Sequence, residues 1–193
     1  MDPAVLKRNK IISLFHEDRV TDHLKTLRTQ MLKRLEKVEG NTLLITSANA
    51  GEGKTFLAIN LGISIAQELH RTVLIVDADL RMPAKNHYNF SADFFGLQAE
   101  RGLADYLKGE AEIPELLVNP GIDKLTILPA GQPMANSAEQ LGSPRMEALV
   151  AEFRERYRPD RIVIFDSPAL LISADPIVFS RSIDGVLLVV EAE

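Results

Sequence analysis

The chain has 193 residues, of which 46% are apolar and 25% charged, with a formal net charge of -5 and no cysteine. That suits one large globular domain with its own core. The acidic balance argues against a nucleic-acid binder held by bulk charge, and the lack of cysteine removes disulfides and thiolate metal sites. No apolar run reaches the ~18 residues that span a bilayer, and the N-terminus lacks a signal-peptide core. Membrane association is therefore expected through a partner.

Residues 1–20 form an N-terminal arm, with Lys7, Arg8 and Lys10 ahead of Ile11, Ile12, Leu14 and Phe15. A solvated tail with a docking apolar patch is expected, the alternative being a membrane-proximal arm. Residues 21–193 form the domain. Asp22 to Val38 is predicted as a helix, because Leu24, Leu27, Met31, Leu32 and Leu35 recur at spacings of three and four. Thr21 or Asp22 is the expected N-cap and Gly40 the C-cap. Asp22, Lys25 and Arg28 share a neighbouring face.

Thr42 to Thr46 reads as a buried strand. Ser47-Ala48-Asn49-Ala50-Gly51-Glu52-Gly53-Lys54-Thr55 follows it and precedes an apolar helical run, Phe56 to Leu69. A strand, a glycine-rich turn and a helix opening on Gly-Lys-Thr are the setting of a phosphate-binding loop. Glycines let backbone N–H groups turn toward an anion, and the helix N-terminus adds its unpaired donors. The segment Ala50, Gly51, Glu52, Gly53, Lys54, Thr55 and Phe56 is the expected nucleotide contact. Lys54 would reach the β- and γ-phosphates, and the Thr55 hydroxyl would ligate Mg²⁺. The usual pattern, G-x-x-x-x-G-K-[ST], has Ala48 at its first position here. His70-Arg71 is expected to close the helix.

Thr72 to Val76 is a second strand, delivering Asp77-Ala78-Asp79-Leu80-Arg81 to the edge where parallel sheets bind ligands. Two carboxylates there need a partner, which a Mg²⁺–phosphate centre supplies; the plainer alternative is an acidic turn with Asp79 capping a helix. Met82 to Gly102 is expected as a functional loop carrying Tyr88, Phe90, Phe94 and Phe95. Short helices are expected at 102–109 and 113–118. Leu125 to Leu128 is the third strand, with the turn-rich Pro129 to Pro133 at the nucleotide edge. Ser143-Pro144 opens a helix to about Tyr157. Arg161 to Phe165, the fourth strand, ends on Asp166-Ser167-Pro168, the pattern of the second Mg²⁺ carboxylate in phosphate-loop NTPases. Asp175-Pro176 opens a helix to about Ser180, and Gly185 to Val190 is the fifth strand. The βαβα order predicts an α/β fold: three αβα layers around a mostly parallel, doubly wound sheet. The histidines His16, His23, His70 and His87 show no metal spacing.

The phosphate loop, Val-Asp-Ala-Asp-Leu-Arg and Phe-Asp-Ser-Pro, in that order, resemble the bacterial tyrosine kinase family. These are phosphate-loop ATPases of the Min/Par-like, deviant Walker group that work with polysaccharide chain-length proteins of the inner membrane. That family's loop is Pro-Gly-Glu-Gly-Lys-[Ser/Thr], with Ala50 replacing the proline here. Its Asp-x-Asp-x-Arg motif is matched by Asp77, Asp79 and Arg81. Its Asp-[Ser/Thr]-Pro-Pro motif is matched by Asp166, Ser167 and Pro168, with Ala169 last. Gly40 to Ser47 and Leu125 to Gly131 look most like the exosortase-associated tyrosine autokinase branch.

The resemblance implies ATP and Mg²⁺ as cofactors, with Lys54, Asp77, Asp79 and Asp166 as the catalytic set. Thr55, Asp77 and Asp166 lie at the metal, Asp77 acts as the base, and Arg81 pairs with a carboxylate or stabilises leaving charge. It implies a membrane co-polymerase partner, no nucleic acid, and a cytoplasmic place at the inner face of the plasma membrane. The family's self-association motif Glu-x-x-Arg-x-x-Arg is loosely matched by Asp22, Lys25 and Arg28, so a homo-oligomer through that helix is expected. Family kinases run past the fifth strand into a tyrosine cluster; this chain has only Tyr88, Tyr106 and Tyr157, for which core or surface roles are expected. Either the sequence is cut before such a cluster or the protein is an ATPase without self-phosphorylation. Asn49 stands where Min/Par partition ATPases carry an additional lysine. The expected activity is tyrosine autokinase, with a nucleotide-switch ATPase and a partition ATPase as alternatives.

Overall fold

The computed structural model describes residues 11–14, 19–81, 94–97, 99–156 and 160–191. Its sheet has five strands: β1 (Thr42–Ser47), β2 (Thr72–Asp77), β3 (Leu125–Leu128), β4 (Arg161–Asp166) and β5 (Gly185–Val189). They lie in the order β3-β2-β4-β1-β5, and every neighbouring pair is parallel. Among the described residues the α-helices are α1 (Arg19–Lys37), α2 (Lys54–Ala66), α3 (Leu103–Lys108), α4 (Ile113–Leu116), α5 (Ser137–Leu141), α6 (Pro144–Arg156) and α7 (Asp175–Phe179).

Side chains alternate across the sheet, so each apolar strand feeds two cores. Val73, Ile75, Ile162 and Ile164 pack with Met31 and Leu35 of α1 and Ile59 and Ile63 of α2. Leu74, Val76, Val163 and Phe165 pack on the other side with Leu103, Leu149, Phe153 and Phe179. Burying each such side chain stabilises the fold by about 1.5–3 kcal/mol. The sheet is wholly parallel and covered on both faces, the three-layer arrangement expected from the strand–helix alternation. β4 sits between β1 and β2, so the chain reverses strand order there and opens a crevice at the C-terminal edge.

Several local expectations need correction. α1 begins at Arg19, so Thr21 and Asp22 lie inside its first turn and do not cap it; Thr21 is buried. At its other end, the Gly40 N–H donates to Leu35 O at 2.9 Å and the Glu39 N–H to Glu36 O at 3.1 Å. The left-handed residue is Glu39, with φ 51°, and not Gly40. Gly40 answers to packing instead, since a Cβ there would meet Asp184 Cβ at 2.5 Å. α2 ends at Ala66, and Leu69 is 83% exposed. The apolar period runs on past the point where the chain must turn into β2. His70 and Arg71 therefore lie beyond the helix, and Arg71 pairs with Glu36 at 2.7 Å. The five-residue α5 was not anticipated.

The apolar docking patch of the arm is seen for residues 11–14. Ile11 is fully buried in the core between sheet, α1 and α2. The N–H groups of Ile12 and Ser13 donate to Asn60 Oδ1 at 2.9 and 3.1 Å, and Gln67 Nε2 donates to Ser13 O at 2.8 Å. Lys7, Arg8, Lys10 and Phe15 lie outside the described residues.

At the N-terminal edge, Asp184 ties the sheet together. Its Oδ2 accepts the backbone N–H groups of Asn41 and Thr42, each at 3.0 Å, and the Thr42 hydroxyl at 2.7 Å. Its Oδ1 pairs with Arg154 of α6 at 2.7 Å. Among the described residues no helix is long and apolar enough to cross a bilayer.

Candidate functional site

The loop between β1 and α2 rises from the crevice edge. Gly51 and Gly53 both take left-handed backbone, φ 88° and 86°, which an L side chain rarely adopts. No atom lies within 4 Å of where their Cβ atoms would be, so these glycines are there for conformation and border open space. Gly53 is the N-cap of α2, and no side chain caps it. The first N–H groups of α2 thus lack a capping acceptor, and no acidic residue sits in its first turn. Unpaired donors at a helix start, facing open space, suit an anion. Lys54 and Thr55 begin this helix.

The limb before the glycines is stitched to the segment after β4. The Ser167 N–H donates to Ile45 O at 3.1 Å, the Leu170 N–H to Ser47 O at 2.8 Å, and the Leu171 N–H to Ala48 O at 3.1 Å. The Thr46 hydroxyl donates to Pro168 O at 2.7 Å. Phosphate loop and β4 carboxylate therefore form one rigid unit.

Asp77 and Asp166 end neighbouring strands in register. Both are buried, 7% and 3% exposed. Burial pushes the Asp77 carboxyl well above the ordinary range, and the neighbouring Asp166 pushes it further. Burial also lifts Asp166, to about 7, against the lowering influence of the Lys54 charge and a hydrogen bond from the Thr55 side chain. Two buried carboxylates side by side resist joint ionisation. Asp166 Oδ1 is buried with no hydrogen-bond partner. Such an atom is costly unless a ligand completes it.

Asp79 does not stand free. Arg81 grips it with both arms of the guanidinium, Nε to Oδ1 at 2.8 Å and Nη2 to Oδ2 at 2.9 Å. The Asp79 N–H donates to Asp77 Oδ1 at 3.2 Å. Of the two roles open to Arg81, the carboxylate pair is the one seen.

The fold therefore brings Lys54, Thr55, Asp77, Asp79 and Asp166 to one edge. Among the described residues no group of three or more His, Asp or Glu side chains could hold a metal by itself. One or two carboxylates with a hydroxyl suit Mg²⁺ shared with phosphate oxygens. The orphaned Asp166 oxygen fits that role.

The predicted face of α1 is not a free rim. Lys25 pairs with Asp22 at 3.2 Å in solvent, but Arg28 turns inward. Its Nη1 donates to Ser64 O at 2.8 Å, and its Nε lies 3.0 Å from Glu68 Oε1. Within the chain Arg28 docks α1 onto α2. Tyr106 is half-buried with Arg145 stacked 4.4 Å over its ring; Tyr88, Tyr157, His16 and His87 lie outside the described residues. Sequence reasoning missed the Leu170–Leu171 stitching and Asp175, a buried carboxylate whose charge Arg81 feels. Backbone contacts leave no composition signal, and an Asp at a helix start looks like any cap.

Residues 43–173 match the CobQ/CobB/MinD/ParA nucleotide binding domain. The chain is also 31% identical to the kinase domain of Escherichia coli tyrosine kinase ETK, with a TM-score of 0.82 over 93% of this chain and 67% of that one. It belongs to this nucleotide-binding family, among the bacterial tyrosine kinase domains. The full-length tyrosine-protein kinase etk of Escherichia coli K12 is 33% identical over 172 residues, which is 89% of this chain and 22% of that protein. The chain thus spans about a fifth of the length of the curated relatives it matches. The Mg-ADP complex of the septum site-determining protein MinD from Pyrococcus horikoshii is more distant: 25% identity and a TM-score of 0.61, over 77% of this chain and 57% of that one.

Proposed function

We propose that this chain is the ATP-binding catalytic domain of a Mg²⁺-dependent protein tyrosine kinase of exopolysaccharide or capsule assembly. The buried, orphaned Asp166 oxygen beside Thr55 and the open glycine loop carries this reading. Thr55 and Asp166 would hold Mg²⁺, with Asp77 beside them. The metal would neutralise charge on the β- and γ-phosphate oxygens. The loop N–H groups and the start of α2 receive the phosphates, and Lys54 stabilises the charge that develops in transfer. Asp77 takes the proton of the attacking hydroxyl, a group of reference pKa near ~10 that needs a base at neutral pH. Asp79, held by Arg81, positions Asp77 through its N–H. A membrane co-polymerase is the fitting partner, with the domain on the cytoplasmic face of the inner membrane.

Intact-mass measurement after incubation with Mg·ATP tests the reading. Mass gains of one phosphate on tyrosine, in the chain or in an added tyrosine-rich peptide, are expected; ATP hydrolysis with no phosphotyrosine would replace it by the nucleotide switch. A partition ATPase is disfavoured by Asn49, a neutral amide tied to Glu52 within its own loop.

A further inference from the structure

The first half of the phosphate loop, Ser47-Ala48-Asn49-Ala50, contains neither glycine nor proline. Yet it must hold its peptide groups steady next to two glycines that could swing freely. Asn49 is fixed on three sides. Its N–H donates to Glu52 Oε2 at 2.9 Å, and its Nδ2 donates to Glu52 Oε1 at 3.2 Å. Its carbonyl accepts the Ser47 hydroxyl at 2.6 Å. Both Glu52 oxygens are thus engaged by one residue, and the link spans Gly51 on the open side of the loop. The carboxyl sits below its usual range, chiefly through the Asn49 N–H and then the Asn49 side chain.

A carboxylate beside an anion cradle opposes phosphate binding through its charge. Its place there calls for a compensating task, and the geometry gives one. We propose that Asn49 and Glu52 are positioning residues, a clamp that sets the phosphate loop in its binding shape before nucleotide arrives. The inference rests on the nucleotide reading above and goes beyond it, because it assigns Glu52 to the loop and not to the phosphates. The same half is already tied through Leu170 and Leu171, whose N–H groups donate to Ser47 O and Ala48 O. The clamp carries that anchorage across Ala50 and Gly51 to Glu52, so binding need not order this part of the loop, a cost that otherwise reduces affinity.

Glu52→Ala removes both brace and charge. Glu52→Gln removes the charge but can still accept from the Asn49 N–H, with the Asn49 amide rotated to match. Two readouts separate the clamp from the nucleotide reading. In nucleotide-free protein, amide hydrogen exchange at Asn49 should be slow in wild type, fast in Glu52→Ala and slow again in Glu52→Gln. In Mg·ADP titrations, Glu52→Ala and Asn49→Ala should each weaken binding by about 3- to 10-fold. The double variant should be no weaker than Glu52→Ala, because Asn49→Ala keeps the backbone N–H and removes only one arm of the same unit. Glu52→Gln should recover the binding lost in Glu52→Ala. Unchanged Mg·ADP affinity in both alanine variants, or additive losses in the double variant, overturns the clamp while leaving the nucleotide reading in place. Wild type that binds no Mg·ADP despite a protected Asn49 amide overturns both.

Discussion

Asp184 and Asp166 sit at opposite ends of the same sheet and teach opposite lessons. At the N-terminal edge, Asp184 spends both oxygens on neighbours: two N–H groups, a hydroxyl and Arg154. Burial raises its carboxyl, but the hydrogen bonds from Thr42 and Asn41 and the Arg154 charge outweigh it and bring it below the ordinary range. At the C-terminal edge, Asp166 keeps one oxygen unpaired in the interior and is pushed up to about 7. One carboxylate is finished by the fold. The other is left unfinished by the fold, and under the proposed function a ligand completes it and recovers the cost in stability.

The largest expected effect lies at the unfinished end. Lys54→Met should remove ATP turnover, a loss of roughly 3–4 kcal/mol of barrier stabilisation, while urea unfolding stays near wild type. Turnover within threefold of wild type would take Lys54 out of the site. Asp166→Asn and Asp77→Asn should both impair turnover, but excess Mg²⁺ should partly restore only the first; identical Mg²⁺ titrations would merge the two roles.

Asp184→Asn should do the reverse. It should cost about 2 kcal/mol in urea unfolding, because Arg154 and the backbone donors lose their charged acceptor, and should leave Mg·ADP affinity alone. The pH profiles should also oppose each other in metal-free protein. Asp184, depressed in the fold, contributes stability above the unfolded carboxylate pKa near ~4, and that stability is lost as pH falls through its folded value. Asp166, raised in the fold, contributes stability below ~4 that is lost as pH rises toward its folded pKa of about 7. Asp166→Asn should therefore flatten the decline between those values, and Asp184→Asn the loss in acid. Equal slopes in the two variants would dissolve the comparison.

The smallest effect concerns α1. Arg28→Ala should cost about 1–2 kcal/mol by undocking α1 from α2, and Lys25→Ala less than ~0.5 kcal/mol as an exposed pair. Sedimentation of the two variants would show whether any homo-oligomer depends on the exposed Asp22 and Lys25 rather than on Arg28.

The sheet was legible because its strands are unbroken apolar runs, and the loop because Gly51, Gly53, Lys54 and Thr55 fall between strand and helix. Asp77 and Asp166 were legible as strand-end carboxylates. What sequence could not carry was the partner of each polar group. Nothing local says that Arg28 turns inward to Ser64, that Gly40 makes room for Asp184, or that Glu52 pairs with Asn49. Periodicity also overran the end of α2, since Leu69 keeps the apolar spacing after the chain has begun to turn.

The docking of Ser13 on Asn60 has a practical side for anyone trimming this protein. Among the described residues the first helix starts at Arg19, which makes residue 19 an inviting place to cut. A cut there strips Ile11 from the interior and takes two backbone donors from Asn60 Oδ1, on the same helix that begins with Lys54. Asn60 Nδ2 meanwhile holds the Phe56 carbonyl at 2.9 Å, one residue past Thr55. A shortened protein of that kind would purify with a loosened helix under its nucleotide loop, and its weak binding would be blamed on the wrong end of the chain.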